Sequence, residues 1–312
     1  MAPASFSDQN EIDAGHKVLT ILGCGSLGTA ILSGILASRN ASSSTSEEQP
    51  SPGTTFKRFV ACVRRDEAVA AVKDKLAAYE DTSNVEVLNR QNLKGVKQAD
   101  TVLLACQPEW YQAIFDEPGM RRAMEGKLII SVLAGVTTQL IQSALGGDEG
   151  QYFVVRAMPN TACFVRDSTT VIETPQSNLS QSLLATAESI FRCVGQVSYV
   201  KPSTFNVCTA VCGSSPAFFS VIIDAMVDGA VAMGLNHADA LRMAAFTMRG
   251  TANMLANGRD PRQVRFEVAS PAGSTMQGLL ALEEGKVRSV VSNALITATT
   301  AAAGLGSKDQ RS

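Results

Sequence analysis

Seven short apolar, β-branched runs punctuate the first two thirds of the chain: KVLTIL, KRFVACV, TVLLAC, KLIISVL, YFVVRAM, TTVIET and QVSYV. Between them, apolar positions return at helical spacing. Continuous apolar strands alternating with helices predict a mostly parallel sheet covered on both faces. After about Lys201 the strand pattern stops, and Ala/Met/Leu-rich helical sequence follows, broken at GLNHAD and NGRDPR. The pattern therefore divides the chain into a polar tail over 1–16, an α/β domain over 17–200 and an all-α domain over 201–312.

Two segments depart from this rhythm. SRNASSSTSEEQPSPGTT, Ser38 to Thr55, is polar, Ser/Pro-rich and aperiodic, which predicts a surface insertion between the first helix and the second strand. PAFFSVIIDAMVDGAVAMGL, Pro216 to Leu235, has the look of a membrane span. It carries Asp224 and Asp228 one turn apart, which a bilayer core would penalise, so a buried helix at a domain or subunit interface is expected.

Composition narrows the function classes. At 312 residues with 45% apolar content the chain can build two cores, and a net charge of −2 gives no footprint for nucleic acid. Seven cysteines lack CxxC spacing, and the two histidines, His16 and His237, lie far apart. Neither a disulfide framework nor a zinc site is expected, and free thiols suit a reducing compartment. The N-terminus lacks an apolar leader, so the cytoplasm is the expected compartment, with mitochondrial association as the alternative.

Chemistry enters at KVLTILGCGSLGTAILSGIL, where Gly23, Gly25 and Gly28 follow an apolar strand and open an apolar helix. The first glycine would make the tight turn, the second would admit a pyrophosphate, and the third would let helix and strand pack closely. This is a Rossmann-type dinucleotide site, with Ser26 and Leu27 at the helix start. An acid ending the second strand would hold the 2′-OH of NAD. RFVACVRRDE instead presents Arg64 and Arg65, which suit a 2′-phosphate, so NADPH is preferred over NADH. The alternative is a pair of solvated arginines with Asp66 in the acid's place. Ala105, Gln107 and Pro108 would line the floor under the nicotinamide ribose. Ala134, Gly135 and Asn160 fall in the corresponding later loops, where Asn160 could hold a carboxamide or cap a turn.

In the helical half, VASPAGSTMQGLLALEEG turns from a Pro/Gly loop into an amphipathic run. Ser270, Gly273, Ser274 and Thr275 at a helix start would suit an anion, because the first backbone N–H groups are free there; an ordinary side-chain N-cap is the competing explanation. Asp224 and Asp228 are expected on an exposed or interface-paired face. Cys208 and Cys212 read as small core residues. Cys24, inside the glycine loop, is expected to report cofactor binding to an oxidant or alkylator.

Four motifs in order, GCGSLGTAI, RAMPNTACFV, CGSSPAFFSVIIDAMVDGAVAMGL and DPRQVRFEVASPAGSTMQGLLALEEG, resemble pyrroline-5-carboxylate reductase, the last enzyme of proline biosynthesis. The resemblance covers about Lys17 to Gly304. It implies an NADP-binding domain followed by a helical dimerisation and substrate domain, a homo-oligomer of at least two chains, and a cleft at the dimer interface. The loop Ser270 to Thr275 would cradle the substrate carboxylate, and Thr275 would face the ring nitrogen as the catalytic residue. Four positions differ from the family pattern: Gln107 for Lys, Ala272 for Gly, Ser274 for Thr and Ser215 for Gly, with Ala272 and Ser215 adding bulk where glycine would leave the backbone free. The resemblance leaves as alternatives a related cyclic imine substrate and a non-catalytic NADPH-binding protein. A 3-hydroxy acid dehydrogenase would need a lysine in the helical half, and Lys286 and Lys308 are poorly placed for it.

Overall fold

In the computed structural model residues 17–42, 56–79, 82–146, 151–175 and 179–308 are described. The polar tail and the 43–55 part of the insertion lie outside them. The chain divides after Phe205 into two compact units.

The first unit carries eight strands: β1 Lys17–Leu22, β2 Phe56–Val63, β3 Val85–Asn89, β4 Thr101–Leu104, β5 Leu128–Ser131, β6 Phe153–Met158, β7 Ser168–Glu173 and β8 Gly195–Val200. They form one sheet in the order β3-β2-β1-β4-β5-β6-β7-β8. Every pairing is parallel except β6 with β7, which run antiparallel through Ala157↔Ile172 and Met158↔Val171. The seven anticipated runs are all strands. The eighth, β3, was not anticipated: Glu86 and Asn89 interrupt VEVLN and only Leu88 is buried, so it lacks the continuous apolar run of a central strand.

Helices cover both faces. On one lie α1 Ser26–Ser42, α2 Asp66–Leu76 and, from later in the chain, the helix Gln181–Arg192; Ile31, Ile35, Leu76, Ile190 and Phe191 fill this core against Leu19, Ile21 and Phe59. On the other lie α3 Asn92–Gln98, α4 Tyr111–Phe115, α5 Met120–Met124 and α6 Thr138–Leu145; the helix Gln181–Arg192 is α7. Val96, Tyr111, Phe115, Met124 and Ile141 pack there on Leu22, Val102 and Ile129. Each such side chain, fully buried, is worth roughly 1.5–3 kcal/mol, so the two layers hold the strand ends in register. The first helix runs on to Ser42, so the polar stretch from Ser38 begins as helix rather than as loop.

Where the sheet reverses, Arg156 on β6 and Glu173 on β7 form a buried ion pair, Nη1 to Oε2 at 3.1 Å, with 4% and 7% of the side chains exposed. Thr138 Oγ1 donates to the other carboxylate oxygen at 3.5 Å. The Phe205 ring covers the guanidinium at 3.9 Å. Burial pulls Arg156 below its ordinary pKa, and Glu173 acts the other way.

The second unit is all helix: α8 Phe205–Cys208 continues from the end of the first unit through a π-helical segment Thr209–Ser214 into α9 Ser215–Ala232, followed by α10 His237–Ala256, α11 Pro261–Val268, α12 Ser274–Glu284 and α13 Val287–Lys308. Local rules set the starts. Asn236 caps α10 by accepting from Asp239 N–H at 2.9 Å, and Asp260 caps α11 by accepting from Arg262 N–H at 2.7 Å. The stretch Pro202–Ala232 is long and apolar enough to cross a membrane, yet only 11% of its most apolar window is buried. It is therefore not the helix buried within its own chain that the pattern allowed. Met233 is 88% and Phe266 80% exposed, so this unit presents apolar faces that one copy of the chain leaves uncovered.

Breaking the Arg156–Glu173 pair strands a charge in the core. Glu173→Ala is expected to lower unfolding free energy by roughly 3–5 kcal/mol, and Arg156→Met with Glu173→Leu by much less. Urea melts of the two variants compare these directly.

Candidate functional site

The parallel strands β1, β2, β3, β4 and β5 end on one rim of the sheet. Order reverses at β1, whose neighbours are β2 and β4, and ligands of such sheets bind at that crevice. Gly23 leaves β1 with φ +81; a Cβ there would lie 2.4 Å from Cys106 Cα, so only glycine lets the β1 turn meet the chain leaving β4. Gly25 faces open space, its nearest such neighbour being the Gly23 carbonyl at 3.9 Å. At Gly28 a Cβ would meet Ile21 Cγ2 at 3.0 Å and Ala105 Cβ at 3.5 Å, the close helix–strand packing expected. α1 starts at Ser26, and Thr29 N–H is the first to reach back, to the Gly25 carbonyl at 2.9 Å. The N–H groups of Ser26, Leu27 and Gly28 thus have no acceptor among the described residues, as a helix start facing a pyrophosphate requires.

Arg64 and Arg65 follow β2 directly and are exposed. Asp66 lies in the first turn of α2, where a carboxylate complements the helix dipole, and accepts a hydrogen bond from Asn89 Nδ2. Two side chains not anticipated from the sequence stand beside these. The Arg64 guanidinium lies over the Trp110 ring at 4.0 Å. Arg90, the residue after β3, donates from Nε to the Arg64 carbonyl at 3.0 Å. Arg90 was missed because its strand was missed, and Trp110 because its approach to β2 depends on the strand order.

On the other side of the crevice Ala105 donates its N–H to the Leu22 carbonyl at 2.9 Å. Gln107 is exposed and precedes a single 3₁₀ turn, Pro108–Trp110. Gly135 takes φ +77 in the loop after β5, beside Ala134. Asn160 Oδ1 accepts from Ala162 N–H at 2.9 Å and caps the turn Thr161–Val165. Of its two readings, capping is the one this oxygen performs.

The loop Ser270 to Thr275 lies in the second unit. Gly273 occupies the N-cap position of α12, with φ −75 and ψ 164, and no side chain caps the helix. The ordinary Ser/Thr cap is thus absent. Gly273 N–H turns back to the Ser270 carbonyl at 3.1 Å, and Gln277 N–H reaches Gly273 at 3.4 Å, so the N–H groups of Ser274, Thr275 and Met276 have no acceptor among the described residues. A Cβ at Gly273 would lie 2.3 Å from Ser270 Oγ, so glycine keeps that hydroxyl in place. Ala272 holds φ +56, a left-handed backbone that costs a non-glycine residue about 1 kcal/mol or more. Ser215 does not share this strain: its φ is −62, and its hydroxyl donates to the Ala210 carbonyl at 3.3 Å.

Asp224 and Asp228 are exposed and have no ion-pair partner among the described residues. Cys208 and Cys212 are half-buried rather than core. Cys24 departs from expectation. It is fully buried, within hydrogen-bond distance of Thr29 Oγ1 at 3.7 Å, and burial pushes its thiol up to about 11. Burial likewise pushes Cys62 up to about 12 and Cys106 up to about 11. A thiol reacts as its thiolate, so Cys24 is not a reporter of nucleotide binding. Native protein treated with iodoacetamide at neutral pH is expected to keep Cys24 unlabelled with or without nucleotide, and to release it only on unfolding, as read by peptide mass mapping.

Residues 202–305 match the family model described as pyrroline-5-carboxylate reductase dimerisation, and residues 18–135 match one described as NADP oxidoreductase, coenzyme F420-dependent. The chain is 59% identical to the Delta-1-pyrroline-5-carboxylate reductase kk1I of Curvularia clavata, over 96% of this chain and 92% of that one. It is 42% identical to a pyrroline-5-carboxylate reductase of Lophium arboricola, over 94% and 95%. Among solved structures, the Plasmodium falciparum pyrroline carboxylate reductase with NADP bound shares the fold at TM-score 0.76 and 21% identity, over 94% of this chain and 99% of that one. The apolar helices of the second unit thus fall within a dimerisation domain, and a second copy of the chain is their partner.

Proposed function

Because the chain belongs to the pyrroline-5-carboxylate reductase family, we propose that it reduces L-1-pyrroline-5-carboxylate to L-proline with NADPH. The observation that carries the substrate half of this reading is the uncapped first turn of α12. Three free N–H groups, the exposed Ser270 and Ser274 side chains and the positive end of the helix dipole suit the substrate carboxylate. For the cofactor half, Gly25 leaves room for a pyrophosphate at the start of α1, and Arg64 and Arg65 supply cations where a 2′-phosphate would lie.

When bound, NADPH supplies the hydride. The loop Ser270 to Thr275 would hold the carboxylate and so fix the ring, presenting its C5 for attack. On hydride addition at C5 the π pair of the C=N bond passes to nitrogen, giving the secondary amine. A substrate entering as the iminium already carries the nitrogen proton, so no strong acid is needed from the protein. Thr275 would donate a hydrogen bond toward that nitrogen, as a positioning group too weakly acidic to be the proton source. Ala134, Gly135, Ala105, Gln107 and Pro108 would line the nicotinamide side. We place the enzyme in the cytoplasm, where its seven free cysteines stay reduced.

Purified protein with racemic 1-pyrroline-5-carboxylate is expected to consume NADPH, followed by absorbance, faster than NADH and faster than with a piperideine carboxylate. Turnover on the six-membered ring alone would move the substrate to another cyclic imine, and nucleotide binding without turnover on either would end the enzymatic reading.

Thr275→Val is expected to lower kcat by roughly 10-fold or more, the cost of one hydrogen bond in the transition state, and to leave the Kd for NADPH nearly unchanged. Unchanged kcat would remove Thr275 from the reaction.

A further inference from the structure

Three strand ends deliver Arg64, Arg90 and Trp110 to one rim: Arg64 follows β2, Arg90 follows β3, and Trp110 ends the turn after β4. In the strand order β3-β2-β1-β4, Trp110 must reach past the end of β1 to meet Arg64. It does so with its ring 4.0 Å from the guanidinium carbon, while remaining 41% exposed. A cation over an indole face is attracted by the ring quadrupole, which holds Arg64 over the rim.

Arg90 is fixed from two directions. Its backbone N–H donates to the Val63 carbonyl at 2.9 Å, and its Nε donates to the Arg64 carbonyl at 3.0 Å. The backbone at Arg90 takes φ +52, a conformation that a bulky residue adopts at a cost. With Nε engaged, the two terminal nitrogens of Arg90 have no acceptor among the described residues. Asp66, the nearest acid in sequence to Arg64, is engaged by the Asn89 amide. The loops after β2 and β3 therefore carry Arg64, Arg65 and Arg90 with no carboxylate paired to any of them among the described residues, an arrangement suited to a dianion.

We propose that Arg90 is a specificity-determining residue for the dinucleotide, forming with the Trp110-held Arg64 a receptor for the 2′-phosphate of NADPH. This rests on the NADPH reading above. The arrangement gives an arginine at a left-handed position a use: its backbone N–H meets the Val63 carbonyl, its Nε meets the Arg64 carbonyl, and the terminal nitrogens stay available. Trp110 acts through Arg64 and is a positioning residue.

The test titrates the full chain with 2′,5′-ADP and with 5′-AMP, which lacks the 2′-phosphate, following the emission of Trp110, the chain's one tryptophan, alongside calorimetry. Wild type is expected to bind 2′,5′-ADP at least about tenfold more tightly than 5′-AMP, and Arg90→Ala to lose about tenfold or more of that difference, the worth of a charge-assisted contact. Arg90→Lys, which keeps the charge but not the Nε bond, should fall between. The kcat/KM ratio of NADPH to NADH is expected to drop in the same order. Discrimination in Arg90→Ala equal to wild type would overturn the assignment while leaving the NADPH reading intact. Wild type that fails to distinguish the two nucleotides, and uses NADH as well as NADPH, would overturn the NADPH reading itself. Calorimetric binding of 2′,5′-ADP without any change in emission would remove Trp110 from the receptor.

Discussion

The approach of the β1 turn to the chain leaving β4 governs the nucleotide rim. At Gly23 the two backbones come so close that a side-chain carbon would overlap Cys106, at 2.4 Å from its Cα and 2.5 Å from its nitrogen. That contact sets where α1 begins, and hence where its free N–H groups point. It also seats Ala105 beneath Gly28 and fixes the departure of the 3₁₀ turn that ends in Trp110. Displacing it would therefore disturb both sides of the crevice at once, and an apolar core of this density has no cheap way to absorb the shift.

What the sequence made legible was whatever a local rule controls. Continuous apolar runs announced the central strands because burial on both faces leaves no room for polar residues. The glycine spacing announced the β1–α1 turn because each glycine answers a separate steric demand. β3 escaped because an outer strand is half-buried and its run is broken by polar residues, and Arg90 escaped with it. Trp110 escaped for another reason: its partner lies across the sheet, and no sequence spacing encodes the strand order. Cys24 shows the limit of proximity along the chain. Its neighbours in sequence form the glycine turn after β1, while its side chain turns inward and is sealed.

The loop before α12 was legible in its composition but not in its geometry. Ser270, Ser274 and Thr275 invited a side-chain cap, yet the cap position falls on Gly273, which has none to offer. Among the described residues the helix start thus has no acceptor for its first N–H groups, and Ala272 adds backbone strain beside it. Unsatisfied donors and strain in one short segment are features that stability alone would remove, and they support the proposed reading of this loop as an anion cradle.

The second unit differs from the first in where its burial comes from. Sequence pattern identifies an apolar helix face but cannot say which chain will cover it, and here the cover is a second copy. The helices that need this cover are the last to be made. The first unit buries its own core, whereas the apolar faces of the second reach their final environment only when two chains meet. Maturation of this protein is therefore a bimolecular event, and its yield depends on how fast and how near to one another copies are produced. A chain made in isolation would carry a finished nucleotide domain followed by a bare, sticky tail.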